Sequence, residues 1–205
     1  MSTATKVSQV ENLPVEFADE KQSVHITGFW MFLVTDVLIF ASLFASYVVY
    51  RPMVAQGPTP VQVFHLGPVI IETFALLTSS FTIGLGIFAM RRRKVGLLVV
   101  WLMVTMLLGL TFVGLELGDF RAVVASGAGW TDSAFLSAFF LLVATHGAHV
   151  SFGILWALGL LGQLWRRGLT AVTARKVYTF SLYWHFLDIV WVFIFTVVYL
   201  NGKIL

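Results

Sequence analysis

The sequence predicts an all-α integral membrane protein, built as a bundle of five transmembrane helices. Only 11% of its 205 residues are charged and 59% are hydrophobic, whereas soluble domains carry about 25% charged residues. The charge-poor apolar runs are each about 20 residues or longer, the length that a hydrocarbon core about 30 Å thick requires. Lipid is therefore the solvent around most of the chain.

Two regions divide the chain. Residues 1–25 are predicted to form a polar cytoplasmic tail, because they carry four acidic side chains and lack the apolar stretch of a cleaved signal peptide. Residues 26–205 form the predicted membrane domain, with spans at about 26–50, 67–90, 95–116, 134–164 and 177–200.

Short connections separate the spans. Residues 51–65 contain three prolines and a glycine, which is turn chemistry that stops a helix. The connection Arg91–Lys94 is so short that spans two and three must form an antiparallel hairpin. Gly127 and Gly129 break the connection between spans three and four.

The distribution of lysine and arginine predicts the orientation. With five spans the termini lie on opposite sides, and the side of the N-terminus holds ten basic residues against three on the other side. Cytoplasmic loops are the ones enriched in Lys and Arg. We therefore expect a cytoplasmic N-terminus and a periplasmic or external C-terminus.

The same composition excludes several classes of function. The basic residues cluster beside apolar segments and do not form a polar face, so they indicate orientation and no nucleic-acid partner. The chain has no cysteine, which excludes disulfides, thiolate metal sites and thiol nucleophiles.

Small residues recur at the spacing used in helix packing. Ser80 precedes Gly84 by four residues, and the same spacing separates two further pairs, Thr82 with Gly86 and Gly147 with Ser151. Small residues at this spacing let helix backbones approach closely in lipid. A compact bundle is the expected result.

Four ionisable residues in spans four and five are the candidates for a polar site. His146 and His149 are three residues apart in span four, and His185 and Asp188 repeat this spacing in span five. If the two faces meet, a proton relay or a metal site is one interpretation. A structural hydrogen-bond network is the favoured one, because nothing supplies a solvent path or a reacting group. We expect no catalytic residue and no metal in this chain.

Three further carboxylates also lie within the predicted spans. Inserting an ionisable residue at the centre of a membrane helix costs at least about 2.5 kcal/mol of free energy, so each of them needs an explanation. Asp36 lies well inside span one, and Glu72 and Glu116 lie closer to the outer surface. Contacts with lipid or a partner subunit are one interpretation of all three. The alternative for Asp36 is a relay carboxylate, and for Glu116 a solvated carboxylate at the membrane interface is favoured.

Two long segments resemble a known family. Thr145–Val150 and Tyr183–Trp191 closely resemble the signature segments of subunit III of the haem-copper respiratory oxidases. The resemblance covers nearly the whole chain. Within that family, a chain with five spans in place of seven resembles the quinol-oxidising branch, the cytochrome bo-type ubiquinol oxidases. One departure is that Gly67 stands where seven-span members have a carbodiimide-reactive glutamate, so the role of that glutamate does not transfer to Glu72.

The resemblance implies an accessory, non-redox subunit of a proton-pumping terminal oxidase in a bacterial inner membrane. Electrons from ubiquinol would reach oxygen through haems and copper held by subunit I, which this chain would contact directly, with subunits II and IV as further partners. It implies bound phospholipid, and a role in assembly and sustained turnover.

Two other classes of protein stay open from the residues alone. One is a small proton-coupled transporter that uses Asp36, Glu72 and Asp188. The other is a haem-bearing membrane cytochrome, in which His146 or His149 pairs with His185. An odd number of spans without an evident inverted repeat counts against the transporter.

Overall fold

The computed structural model describes residues 20–54, 59 and 66–204, and of residues 20–25 and 204 it describes the backbone only. The predicted tail therefore lies largely outside the described residues, as does most of the connection 51–65. The described chain is helical and contains five helices long and apolar enough to cross a membrane. The prediction of an all-α membrane protein with five spans is confirmed.

The helices run in chain order, and the first, third and fifth extend at least six residues beyond their predicted bounds. Their bounds are α1 Glu20–Tyr50, α2 Leu66–Arg91, α3 Val95–Ala125, α4 Ala134–Arg167 and α5 Ala171–Ile194. The last helix continues as a π-helical segment, Phe195–Leu200, and a short α6, Asn201–Ile204. Thus α3 ends nine residues later than predicted and α5 begins six residues earlier.

Capping explains both differences. Gly127 has a φ of +85°, and Gly127 and Ala128 donate backbone hydrogen bonds to the carbonyls of Val124 and Val123. This pattern is a Schellman motif, which ends a helix at a glycine whatever the polarity of the preceding turn. At the start of α5 the Thr170 hydroxyl accepts a hydrogen bond from the Thr173 backbone N–H at 3.2 Å, so the helix begins at its cap and not where the apolar run begins.

Four of the helices form a closed ring, in which α2 packs on α3, α3 on α4, α4 on α5, and α5 on α2. Helix α1 lies outside the ring and packs against α4 and α5. The Arg51 side chain at the end of α1 donates to the carbonyl of Asn201 at 2.9 Å. The ends of α1 and α5 therefore lie on one side of the bundle, as an odd number of spans requires.

Candidate functional site

The four residues of the predicted histidine and aspartate network lie in separate places. His185 points to α2, where its Nδ1 is 2.6 Å from the Ser80 hydroxyl oxygen, and the Ser80 side chain also hydrogen-bonds Asp188. Neither His185 nor Asp188 reaches the histidines of α4. Near His149, α5 is instead joined to α4 by the hydroxyl of Tyr183, which donates to the His149 carbonyl at 3.0 Å.

His149 faces α1. Its Nδ1 is 2.7 Å from the Thr145 carbonyl oxygen, and its Nε2 is 3.9 Å from Oδ2 of Asp36. Because a carbonyl only accepts hydrogen bonds, Nδ1 must carry the proton of that bond. An attractive contact with Asp36 therefore needs a second proton, held either by the imidazole or by the carboxyl group.

His146 belongs to an aromatic cluster inside the ring of four helices α2 to α5. Its side chain is fully buried, it stacks on Trp191 with ring centroids 5.3 Å apart, and it meets Phe112 edge to face at 5.7 Å. Neither ring nitrogen has a hydrogen-bond partner among the described residues. The ring is therefore part of the core packing between α3, α4 and α5.

The three other carboxylates named from the sequence are buried inside the chain, which corrects the prediction that they contact lipid or a partner subunit. The exposed fractions of Asp36, Glu72 and Glu116 are 4%, 1% and 3%. Glu116 lies nine residues before the end of its helix, because α3 continues to Ala125.

Glu72 and Glu116 form a carboxylate cluster with Asp119, since each lies within electrostatic range of the others. Oε2 of Glu116 would lie only 2.5 Å from a Cβ at position 147, so Gly147 is what lets α4 accept this carboxylate. The small residue predicted as a helix-packing position thus makes room for a buried acid.

The sequence analysis did not predict the side-chain hydrogen bonds that join α5 to α2. The indole N–H of Trp184 donates to the Ser79 hydroxyl at 2.9 Å, and that of Trp191 donates to the Thr73 hydroxyl at 3.0 Å. Trp184 and Trp191 are seven residues apart, a spacing that places both on one face of α5 but does not identify their partners. The available signal was the run of Ser and Thr in span two, since buried hydroxyls in lipid need partners on neighbouring helices.

No group of three or more His, Asp or Glu side chains in the described part of the chain is arranged to hold a metal ion. The ionisable residues lie instead at three helix contacts, α1 with α4, α2 with α3, and α2 with α5, and His146 lies apart from them in the aromatic cluster. This arrangement fixes helices to each other. It does not form a single reaction centre.

Comparison with known proteins identifies the family. Residues 17–203 match the family model described as cytochrome c oxidase subunit III. The chain belongs to this family. The prediction of a subunit III of the haem-copper oxidases is confirmed.

Curated members of the subunit III family are similar over most of their length. Quinol oxidase subunit 3 of Bacillus subtilis is 47% identical over 93% of this chain and 94% of its own. Cytochrome bo(3) ubiquinol oxidase subunit 3 of Pseudomonas aeruginosa is 48% identical over 87% of this chain and 86% of its own. Probable quinol oxidase subunit 3 of Staphylococcus aureus is 46% identical over 86% and 89%, respectively.

The segments that carry the family resemblance supply buried side chains to the contacts between helices. Thr145–Val150 places the two histidines of α4 and Gly147, and Tyr183–Trp191 places both buried tryptophans of α5. In this subunit III the signature segments therefore encode helix contacts.

Proposed function

We propose that this chain is the third, accessory subunit of a terminal quinol oxidase in a bacterial inner membrane and carries no catalytic centre itself. The observation that carries this proposal is the similarity to proteins named subunit 3 of quinol oxidases, at 46–48% identity over at least 86% of both chains. Electrons pass from quinol to oxygen elsewhere in the complex, through the haems and copper of subunit I. The third subunit supports assembly and sustained turnover.

The arrangement of the buried ionisable residues supports this role. A proton relay needs groups that follow one another along a path, whereas here His185 hydrogen-bonds Ser80, His149 faces Asp36 and His146 packs among aromatic rings. Polar contacts between separate helix pairs are what a stable scaffold in lipid uses.

Subunit I is the proposed direct partner, with subunits II and IV in the same complex and phospholipid at the periphery. A groove of about 860 Å³ between α3 and α4 supports the lipid proposal. The exposed side chain of Arg121 lies at this groove, where a guanidinium can pair with a phosphate. The other walls are mainly apolar, as an acyl chain requires, and include Leu117, Phe120, Val124, Phe140 and Leu141.

The orientation is proposed from the basic residues, with the N-terminus in the cytoplasm. Reporter enzymes active only outside the membrane should be active when fused after Leu205 and inactive when fused in the Arg91–Lys94 connection. The reverse pattern would show that the chain is inserted the other way.

Affinity purification of this chain from its native membrane tests the function directly. We expect haem-bearing oxidase chains to co-purify with it. A complex prepared without the chain should oxidise quinol at nearly the same initial rate per haem but lose activity faster during turnover. Purification of the chain alone, with a Soret absorption band of its own, would instead indicate a cytochrome.

A further inference from the structure

The turn between α4 and α5 carries a cluster of basic side chains. Arg166 and Arg167 end α4, Lys176 lies in the second turn of α5, and all three are exposed. We call these three residues the basic patch. The Nζ atom of Lys176 donates to Oε1 of Gln163 at 3.3 Å. Among the described residues no carboxylate forms an ion pair with any member of the patch.

A groove of about 600 Å³ adjoins the basic patch between α4 and α5. Gly159 and Gly162 line its inner part, and a Cβ added at either glycine would meet nothing within 4 Å. No acidic side chain of the described residues lines the groove. It therefore combines positive charge at one end with open space at the other.

The first end of α1 lies level with the basic patch. The rings of Phe29 in α1 and Trp156 in α4 meet edge to face, with centroids 6.0 Å apart, and α1 and α4 cross the membrane in opposite directions. Glu20 begins α1 nine residues before Phe29, and Arg166 follows Trp156 by ten residues. At 1.5 Å per residue these separations are about 14 and 15 Å along the two helices.

The sequence places negative charge at this end of α1. Residues 11–20 read ENLPVEFADE and contain four acidic residues and no basic one. The other six acidic residues of the chain lie inside the bundle or towards its opposite end. On the membrane side that carries ten lysines and arginines, the acidic residues therefore all belong to the acidic segment 11–20.

We propose that the acidic segment 11–20 binds to the basic patch and covers the groove between α4 and α5. Its carboxylates pair with Arg166, Arg167 and Lys176, and a guanidinium can bind a carboxylate through two parallel hydrogen bonds. Because the segment is joined to α1, its concentration at the patch is on the order of millimolar, so several individually weak ion pairs are enough. The contact fastens the first end of α1, as Arg51 fastens the last.

An anionic lipid headgroup is the other occupant of suitable charge. It reaches the groove by diffusion, whereas the acidic segment begins level with the patch and stays attached to it through α1. Only the segment can form a covalent bond within the chain when cysteines are introduced. The contact depends on neither the proposed oxidase role nor the orientation of the chain, because it involves one side of one subunit.

The sequence has no cysteine, so two introduced thiols are the only ones in the chain. Glu16→Cys with Arg167→Cys should form a disulfide when native membranes are oxidised with copper phenanthroline, since a disulfide needs Cα atoms within about 7 Å. Glu16→Cys with Arg92→Cys is the matched control, because Arg92 is an exposed arginine on the same membrane side, in the connection between α2 and α3. Labelling of the remaining thiols with maleimide-polyethylene glycol measures the yield. We expect on the order of tenfold more disulfide from the first pair.

Ionic strength distinguishes an electrostatic contact from chance collision. The Debye length falls from about 10 Å at 0.1 M salt to about 3 Å at 1 M. Disulfide formation between positions 16 and 167 should therefore slow several-fold at 1 M salt, while the slow reaction between positions 16 and 92 should change little. Equal rates for the two pairs at low salt, or a rate for the first pair that salt does not alter, would overturn the proposal.

Exchange of charge covers the case in which a variant disturbs the bundle. In the chain with cysteines at 16 and 167, Arg166→Glu and Lys176→Glu should lower the disulfide yield to that of the control pair. Adding Asp19→Lys and Glu20→Lys should restore it, because the two surfaces again carry opposite charge. A yield that stays low after the second exchange contradicts the proposed pairing.

The lipid alternative and the proposed function have their own outcomes. If the disulfide forms only after anionic lipid has been removed with detergent, and Arg166→Glu lowers the amount of anionic lipid that co-purifies, the groove holds lipid and the proposal is wrong. The proposed function stands in that case, because it is tested by the oxidase chains that co-purify with the unaltered subunit.

Discussion

The ring of α2 to α5 and the peripheral helix α1 are held by different kinds of contact. Of the most apolar stretch of each helix, 56% is buried in α4 but only 22% in α1 and 28% in α3. The two least buried spans are the two most apolar ones. Hydropathy therefore identifies the surface that meets lipid, and small and polar residues identify the surfaces that meet other helices.

In the ring, one tryptophan joins three helices to α5. The indole of Trp184 donates to Ser79 of α2, and its ring edge occupies the space left by Gly109 of α3 and Gly153 of α4. A Cβ at either glycine would lie within 3 Å of the indole. Large and small residues on facing helices are thus fitted to each other.

No described side chain of α1 occupies the space left by a glycine in this way. Helix α1 is attached by Phe40, whose ring lies 5.2 Å from that of His149, by the Asp36 contact at 3.9 Å and by Arg51 at its end. We therefore expect substitutions in the ring to cost more stability than substitutions at the α1 contact.

The largest effect is expected for Trp184→Ala, which removes the fitted side chain and leaves a cavity between α2, α3 and α4. A loss of about 3–5 kcal/mol in the free energy of unfolding is typical of such a truncation. The loss can be measured by heating the detergent-solubilised complex and monitoring the release of this subunit as the signal of unfolding. Trp165→Ala is the control, because Trp165 is 91% exposed. Equal effects from the two variants would contradict the comparison.

An intermediate effect is expected for Gly147→Ala, because the new methyl group would collide with the Glu116 carboxylate. Overpacking of this kind costs about 1–3 kcal/mol. Adding Glu116→Ala to Gly147→Ala should recover part of the loss, since the colliding group is then absent. The same measurement on all three variants gives the coupling between the positions. If the two losses simply add, Glu116 is not what position 147 accommodates.

The smallest effect is expected for Asp36→Asn at the α1 contact. The asparagine amide can donate to Nε2 of His149, and interhelical polar contacts in membranes average about 0.6 kcal/mol. The unfolding midpoint should therefore change little, and hydrogen exchange should rise in α1 before it rises in α4. A loss of unfolding free energy as large as that of Trp184→Ala would show that α1 unfolds together with the four-helix ring, contrary to the comparison.

Composition and pattern determined the class of protein, the number of spans and the family. Charge-free runs long enough to cross a membrane leave few alternatives to a helical bundle, and Thr145–Val150 with Tyr183–Trp191 indicates the family. The ends of α3 and α5 were less predictable, because caps set them and hydropathy does not report caps.

The partners of the polar residues were decided by the tertiary structure alone. Residues three apart on a helix are about 60° apart around its axis, which looks like one face in a sequence. Helix α4, however, contacts three helices, α1, α3 and α5. The difference of 60° in direction is therefore enough for His149 to face Asp36 of α1 while His146 faces Trp191 of α5. In the same way Ser80 of α2, which the sequence indicates only as a small residue at helix-packing spacing, takes the place of the histidines as the partner of His185. Sequence spacing fixes directions within one helix, and only the packing of all five decides what lies in each direction.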